Sequence, residues 1–233
     1  NAITTLERLD LTEATGTNSI NLTAGTNAAT INLGTGADTV ILTGGVADDV
    51  NLSTSASVDT LEYTEATGTA VATISNFAFA SGGDIAQVDL TDFEGNNVVV
   101  TGTLNIVDGD DTDLTAHTIT VKEITAATTL AAGDDLLVFV GVTFANVTAA
   151  ATALETGTDV AITTGDALEH DDAILMFYTD GTDGYLGAIV TAHANTATAN
   201  LAANDIDVKN LLKFEGITSI ASGDITTGDI VIS

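Results

Sequence analysis

The sequence predicts a mostly β protein. A short parallel β-solenoid or β-roll comes first, followed by a β-rich domain (a β-sandwich or a continued solenoid) with one short helix. Three observations carry this. A five-residue unit with apolar residues at its third and fifth positions recurs at about ten-residue intervals through the first third of the chain. Proline is absent from all 233 residues, so no backbone donor is lost from a strand ladder. Hydrophobic residues make up 45% of the chain but aromatic ones only 4%, so the core must be built from Val, Ile, Leu and Ala.

The units are Glu7–Leu11, Asn18–Leu22, Ala29–Leu33, Asp38–Leu42, Asp48–Leu52 and Asp59–Tyr63. Alternating apolar positions give a strand with one buried face, and a period this short has no room for a helix. A recurring strand and turn reads as a solenoid; regular antiparallel hairpins are the alternative. In the solenoid, Leu9, Ile20, Ile31, Val40, Val50 and Leu61 are expected to stack as one ladder. Leu11, Leu22, Leu33, Leu42, Leu52 and Tyr63 form the second. The pattern ends near Ile74, which sets a boundary between a repeat region, 1–75, and a C-terminal domain, 76–233.

Beyond the boundary, strands are expected over 97–107, 117–124 and 135–142. Phe144, Val147, Ala151 and Leu154 recur at helical spacing, and the alanines around them support a helix over 144–155. Two apolar runs around Asp180-Gly181-Thr182-Asp183 predict a hairpin over 173–190, with both aspartates satisfying turn backbone. Ile206, Val208, Leu212 and Phe214 mark a strand with one buried face. The stretch 222–233 reads as a turn and a short strand.

Charge narrows the function. Four basic residues stand against 33 acidic ones, a formal net charge of −29. Nucleic acid and anionic membranes would repel such a chain, whereas divalent cations would relieve its self-repulsion. Without Cys there is neither disulfide nor thiolate chemistry. No apolar run is long enough to insert in a membrane. The chain starts without Met and inside the repeat, and is read as part of a longer protein. The His residues at 117, 170 and 193 are scattered and no catalytic motif occurs, so no enzyme is expected.

Cation sites are sought among the aspartates. Gly34-Thr35-Gly36-Ala37-Asp38-Thr39-Val40 follows the pattern G-x-G-x-D-x-U, with U a large aliphatic residue. Gly34 and Gly36 are expected to take left-handed turns that aim carbonyls inward, and Asp38 adds a carboxylate for Ca²⁺, which takes six to eight hard oxygens. Asp48 repeats the position, although Val46 stands where a turn glycine is wanted. Asp38 and Asp48 should then lie on one edge, about 4.8 Å apart. Asp49 and Asp59 belong to the same turns, and Asp84 and Asp89 flank a Gly-Gly turn. Asp108, Asp110, Asp111 and Asp113 form the densest cluster. It is not an EF-hand, because Asp113 replaces the required Gly and Ile119 the bidentate Glu. For all of these the plain alternative is a capped or solvated turn.

The glycine turn resembles the nonapeptide of RTX calcium-binding β-rolls, with Leu33 where that family has its first Gly. The segment 72–93 is similar to the strand that closes such rolls, and the last third of the chain to the C-terminal segments of type I-secreted bacterial proteins. The resemblance implies Ca²⁺ as cofactor, a C-terminal export signal and an extracellular place on a bacterial surface. It implies a structural, self-associating protein such as a surface-layer or filament subunit, with cell-surface polysaccharide as a candidate partner. An adhesin or binding module, or the noncatalytic tail of a secreted hydrolase, are the alternatives. Nothing is recognised over 97–165.

Overall fold

The computed structural model describes residues 5–43, 45–64, 70–79, 82–89, 119–131, 134–155, 159–164, 173–191, 201 and 204–232. The expected strand over 97–107 and the cluster Asp108, Asp110, Asp111 and Asp113 lie outside them. Eight short strands open the chain: β1 (Arg8–Asp10), β2 (Ser19–Asn21), β3 (Thr30–Asn32), β4 (Thr39–Thr43), β5 (Asp49–Asn51), β6 (Thr60–Thr64), β7 (Ala72–Ser75) and β8 (Ile85–Asp89). Each pairs in parallel with the next but one, giving the ladders β1-β3-β5-β7 and β2-β4-β6-β8. The result is a two-sheet parallel β-solenoid.

Each ten-residue unit is therefore half a coil, and this corrects the expected ladders. Leu9, Ile31, Val50 and Ile74 stack in one sheet. Ile20, Val40, Leu61 and Ala86 stack in the other. The second ladder divides in the same way, Leu42, Tyr63 and Val88 falling in the latter sheet. The reason is steric: one strand and a short turn cannot return the chain to the same side of the core, so successive units must face each other across it. Their apolar side chains meet there and are almost completely buried, Ile31, Val40, Leu42 and Leu61 at 0% exposure.

The rest of the chain mostly extends these sheets, with one helix and one separate two-stranded pair. It comprises β9 (Val121–Ile124), β10 (Thr128–Leu130), β11 (Leu136–Thr143), α1 (Val147–Glu155), β12 (Ile162–Thr164), β13 (Ala173–Thr179), β14 (Gly184–Thr191), β15 (Ile206–Phe214) and β16 (Ile230–Ile232). The nine-stranded sheet runs β1-β3-β5-β7-β15-β14-β13-β11-β9, and the five-stranded one β16-β8-β6-β4-β2. Hydrogen bonding thus continues across the expected 75/76 boundary: β7 pairs with β15, and the C-terminal β16 returns to β8. Phe77, Phe79, Phe177 and Phe214, with centroids 4.5–5.6 Å apart, fill the junction.

The expected helix and hairpin form as α1 and β13–β14. Asn146 Oδ1 accepts the Ala149 N–H at 2.9 Å and caps the helix. Asp180 Oδ1 accepts the Thr182 and Asp183 N–H groups at 2.8 and 2.9 Å, while Asp183 accepts from Gly216 and pairs with Lys213. Asp180 thus serves the hairpin turn as expected, whereas the Asp183 carboxylate reaches out of the hairpin to the turn after β15. Leu136, Val138, Leu175 and Phe177 continue the solenoid core, whereas Leu137, Phe139, Met176 and Tyr178 form a second core that includes Ala150 and Leu154 of α1. Burial on both faces explains why β11 and β13 are continuous apolar runs. Among the described residues no helix is long and apolar enough to cross a membrane.

Candidate functional site: an aspartate stack at the strand starts

In a parallel ladder the residue just before each strand exposes an N–H that the neighbouring backbone does not reach. The sequence places Asn18, Asp38, Asp59 and Asp84 there, one coil apart. Asp38 Oδ1 accepts the Asn18 N–H at 2.7 Å and its Nδ2 at 2.8 Å. Asp59 Oδ1 accepts the Asp38 N–H at 2.8 Å, and Asp84 Oδ1 the Asp59 N–H at 2.9 Å. Asp84 Oδ2 closes the series on the Ala78 N–H at 2.9 Å. Each carboxylate caps the coil before it, so the aspartates form a chain of hydrogen bonds along the edge of the five-stranded sheet.

Asp48 performs the same task on the other sheet, accepting the Ala29 N–H at 2.9 Å. Asp38 and Asp48 are consequently not neighbours: they cap opposite sheets because consecutive units are half-coils, and the expected pair does not exist. The rung next to Asp38 is Asp59. Asp49, one residue further on, is exposed on the outer face. Asp89 ends β8.

Gly34 and Gly36 also differ from expectation. Neither has a positive φ. A Cβ on Gly34 would lie 2.0 Å from the Ala14 carbonyl oxygen, and one on Gly36 2.2 Å from that of Gly16. These glycines are required by close approach to the preceding coil, and the Ala14 carbonyl is already taken by the Thr35 N–H at 2.9 Å. The turn is a packing contact between coils.

Electrostatically the stack is costly. Asp38 and Asp59 are each 1% exposed, and their Oδ2 atoms, buried, have no hydrogen-bond partner among the described residues. A buried oxygen left in this way costs about 1–3 kcal/mol. The described ion pairs, Arg8–Asp10, Lys122–Asp134 and Lys213–Asp183, all lie elsewhere. Burial pushes the Asp59 carboxyl up to about 6, with the charges of Asp84 and Asp38 adding to it against the Asp38 N–H. Burial likewise raises Asp84, and raises Asp48 with Asp49 adding. Such a stack can hold protons or a cation. Its two unpartnered oxygens are a fitting start for Ca²⁺, although no group of three or more His, Asp or Glu among the described residues is arranged to hold a metal.

Two caps of this kind escaped the sequence reading. Asn18 is the first rung, and its unit Asn-Ser-Ile-Asn-Leu has the same alternation as Asp-Thr-Val-Ile-Leu; the signal was present, but in an amide. Asp135 precedes β11 and accepts the Thr120 N–H at 2.6 Å, the same cap in a strand pair outside the repeat. No protein-family model, curated protein or solved structure matches this chain.

Proposed function

We propose that this chain is a structural, self-assembling part of an extracellular bacterial surface protein, a surface-layer or filament subunit, whose fold is completed by calcium. The observation that carries the reading is the pair of unpartnered, buried Oδ2 atoms of Asp38 and Asp59 in a chain of net charge −29. These two residues would take the first calcium, with Asp84 next in the stack. The bound cation would supply the positive charge that the chain itself does not bring there. Weak oxygen sites fill at millimolar extracellular calcium, and the binding free energy then adds to folding.

The test is thermal unfolding and electron microscopy in millimolar calcium and in excess EGTA. A higher midpoint together with ordered arrays or fibres in calcium supports the reading. Equal midpoints in both would remove calcium, and a dispersed protein in both would remove assembly.

A second reading, an adhesin or binding module, is favoured by the outer face of the nine-stranded sheet. There Thr30, Asn32, Asp49, Asn51, Thr73 and Ser75, with Glu215, line a groove. Such side chains suit the hydroxyls of a cell-surface polysaccharide. Saturable glycan binding by dispersed protein, abolished by Asn51→Leu, would favour this reading over the first.

A further inference from the structure

The first coil differs from those that follow. Its inward side chains Leu9 and Leu11, with Leu6 beside them, are only partly buried, whereas Ile31, Leu33, Val50 and Leu52 at the same positions in later coils are fully buried. Among the described residues no strand pairs with the outer edge of β1 or of β2. The bonds from the Leu11 N–H to Asn32 and from the Thr30 N–H to Glu7 turn Glu7, Leu9 and Leu11 toward β3. Alternation then turns the N–H and C=O groups of Arg8 and Asp10 to the open edge. On β2 the bonds of Thr39 to Asn18 and of Leu22 to Ile41 leave those of Ser19 and Asn21 facing outward in the same way. Arg8, the only arginine of the chain, lies on this edge with its guanidinium 2.8 Å from Asp10, both side chains well exposed.

We infer that this end of the solenoid docks a second copy of the same chain by antiparallel pairing of β1 with β1, and of β2 with β2, about a two-fold axis through Leu9 and Ile20. In that register Arg8 stands opposite Asp10 of the second copy, and Asp10 opposite its Arg8. These are the residues whose backbone groups face outward, so each opposed pair can exchange two hydrogen bonds. Leu9 meets Leu9, and Ile20 meets Ile20, closing the open end of the core. Arg-Leu-Asp is self-complementary only in this direction; parallel addition would set Arg8 against Arg8 and Asp10 against Asp10, which is destabilising. The contact is isologous and closes at two copies. The inference rests on the self-association of the reading above, whose building block it names, and not on calcium.

Sedimentation equilibrium of the 233-residue chain, in calcium and in EGTA, tests it. The expected result is a reversible dimer in both. Its dissociation constant should rise about tenfold with Arg8→Asp or with Asp10→Arg and return toward wild type in the double reversal, with circular dichroism unchanged throughout. Hydrogen exchange on the unaltered protein needs no variant: the Arg8 and Asp10 amides should be protected at high concentration and exchange freely on dilution. A chain that is monomeric at its highest soluble concentration, a dimer indifferent to the single reversals, or amides whose exchange ignores dilution would overturn the inference. Arrays that form in calcium from Arg8→Asp as readily as from wild type would sink the inference and leave the assembly reading standing. A dimer that responds as expected but never grows in calcium would do the reverse.

Discussion

Asp59 is the residue on which most of the electrostatics converge, because it is flanked by a carboxylate on either side and has one oxygen without a partner among the described residues. Its folded value of about 6 lies above the roughly 3.9 of an unfolded aspartate. The folded state therefore binds the proton more tightly, and protonation favours folding. The gain is complete below the unfolded value and is lost as pH rises through 6, for a total of about 3 kcal/mol. In EGTA the thermal midpoint should fall as pH rises from about 4 to about 6.5, and Asp59→Asn should flatten that slope. Asp49→Asn removes the same charge from an exposed position and should leave the slope in place; equal slopes in all three proteins would refute the assignment. The glycines offer a second residue-scale test. Gly34→Ala forces a methyl group into a backbone carbonyl and should cost about 2–3 kcal/mol in a denaturant titration. Gly45→Ala meets only the Thr43 hydroxyl at 3.5 Å and should change little.

At the scale of elements, each solenoid strand is three to five residues long and gains its stability by stacking. Val40 has Ile20 on one side and Leu61 on the other, so Val40→Asp buries an unpaired charge in the middle of a sheet. A loss of about 4 kcal/mol or more is expected, measured as a shift in denaturation midpoint at constant slope. The helix is governed by different terms. Asn146→Ala removes one cap and should cost about 1 kcal/mol, whereas Leu154→Ala opens a hole in the second core and should cost about 2–5 kcal/mol. If the cap proved more damaging than the hole, α1 would owe its place to its own propensity and not to packing on the sheet.

For the whole molecule, the nine-stranded sheet and the return of β16 to β8 join the two ends of the chain. Ile230, buried against the solenoid, makes the C-terminal strand a part of the N-terminal core. Ile230→Asp should accordingly destabilise the solenoid 140 or more residues away in sequence. Native-state hydrogen exchange reads this directly: the slowest amides of β6 and of β14 should converge on one opening free energy, and Ile230→Asp should lower both together. Separate opening energies would mean that the chain unfolds in two units at about the 75/76 boundary, in spite of the continuous sheet.

Local chemistry was sufficient for much of this. The two-residue alternation in Asp38–Leu42 and its relatives marks which side chains are buried, because the pleat leaves no other choice. The spacing of Phe144, Val147, Ala151 and Leu154 marks the helix, and Asp180 marks the hairpin, because caps and turns are satisfied within a few residues. What sequence could not settle was which units touch. Whether the chain comes back to its own side after one unit or after two is a property of the coil as a whole, so the same alternation permits either ladder. That choice separates Asp38 from Asp48 and places Asp59 beside it. It also gives Gly34 and Gly36 their reason, since the carbonyls they must clear belong to residues some twenty positions earlier. Position and burial pattern were thus determined by the sequence alone. The aspartate stack, with its unpartnered oxygens, was decided only by tertiary structure, because hydrogen bonds between residues a coil apart depend on how the coil closes.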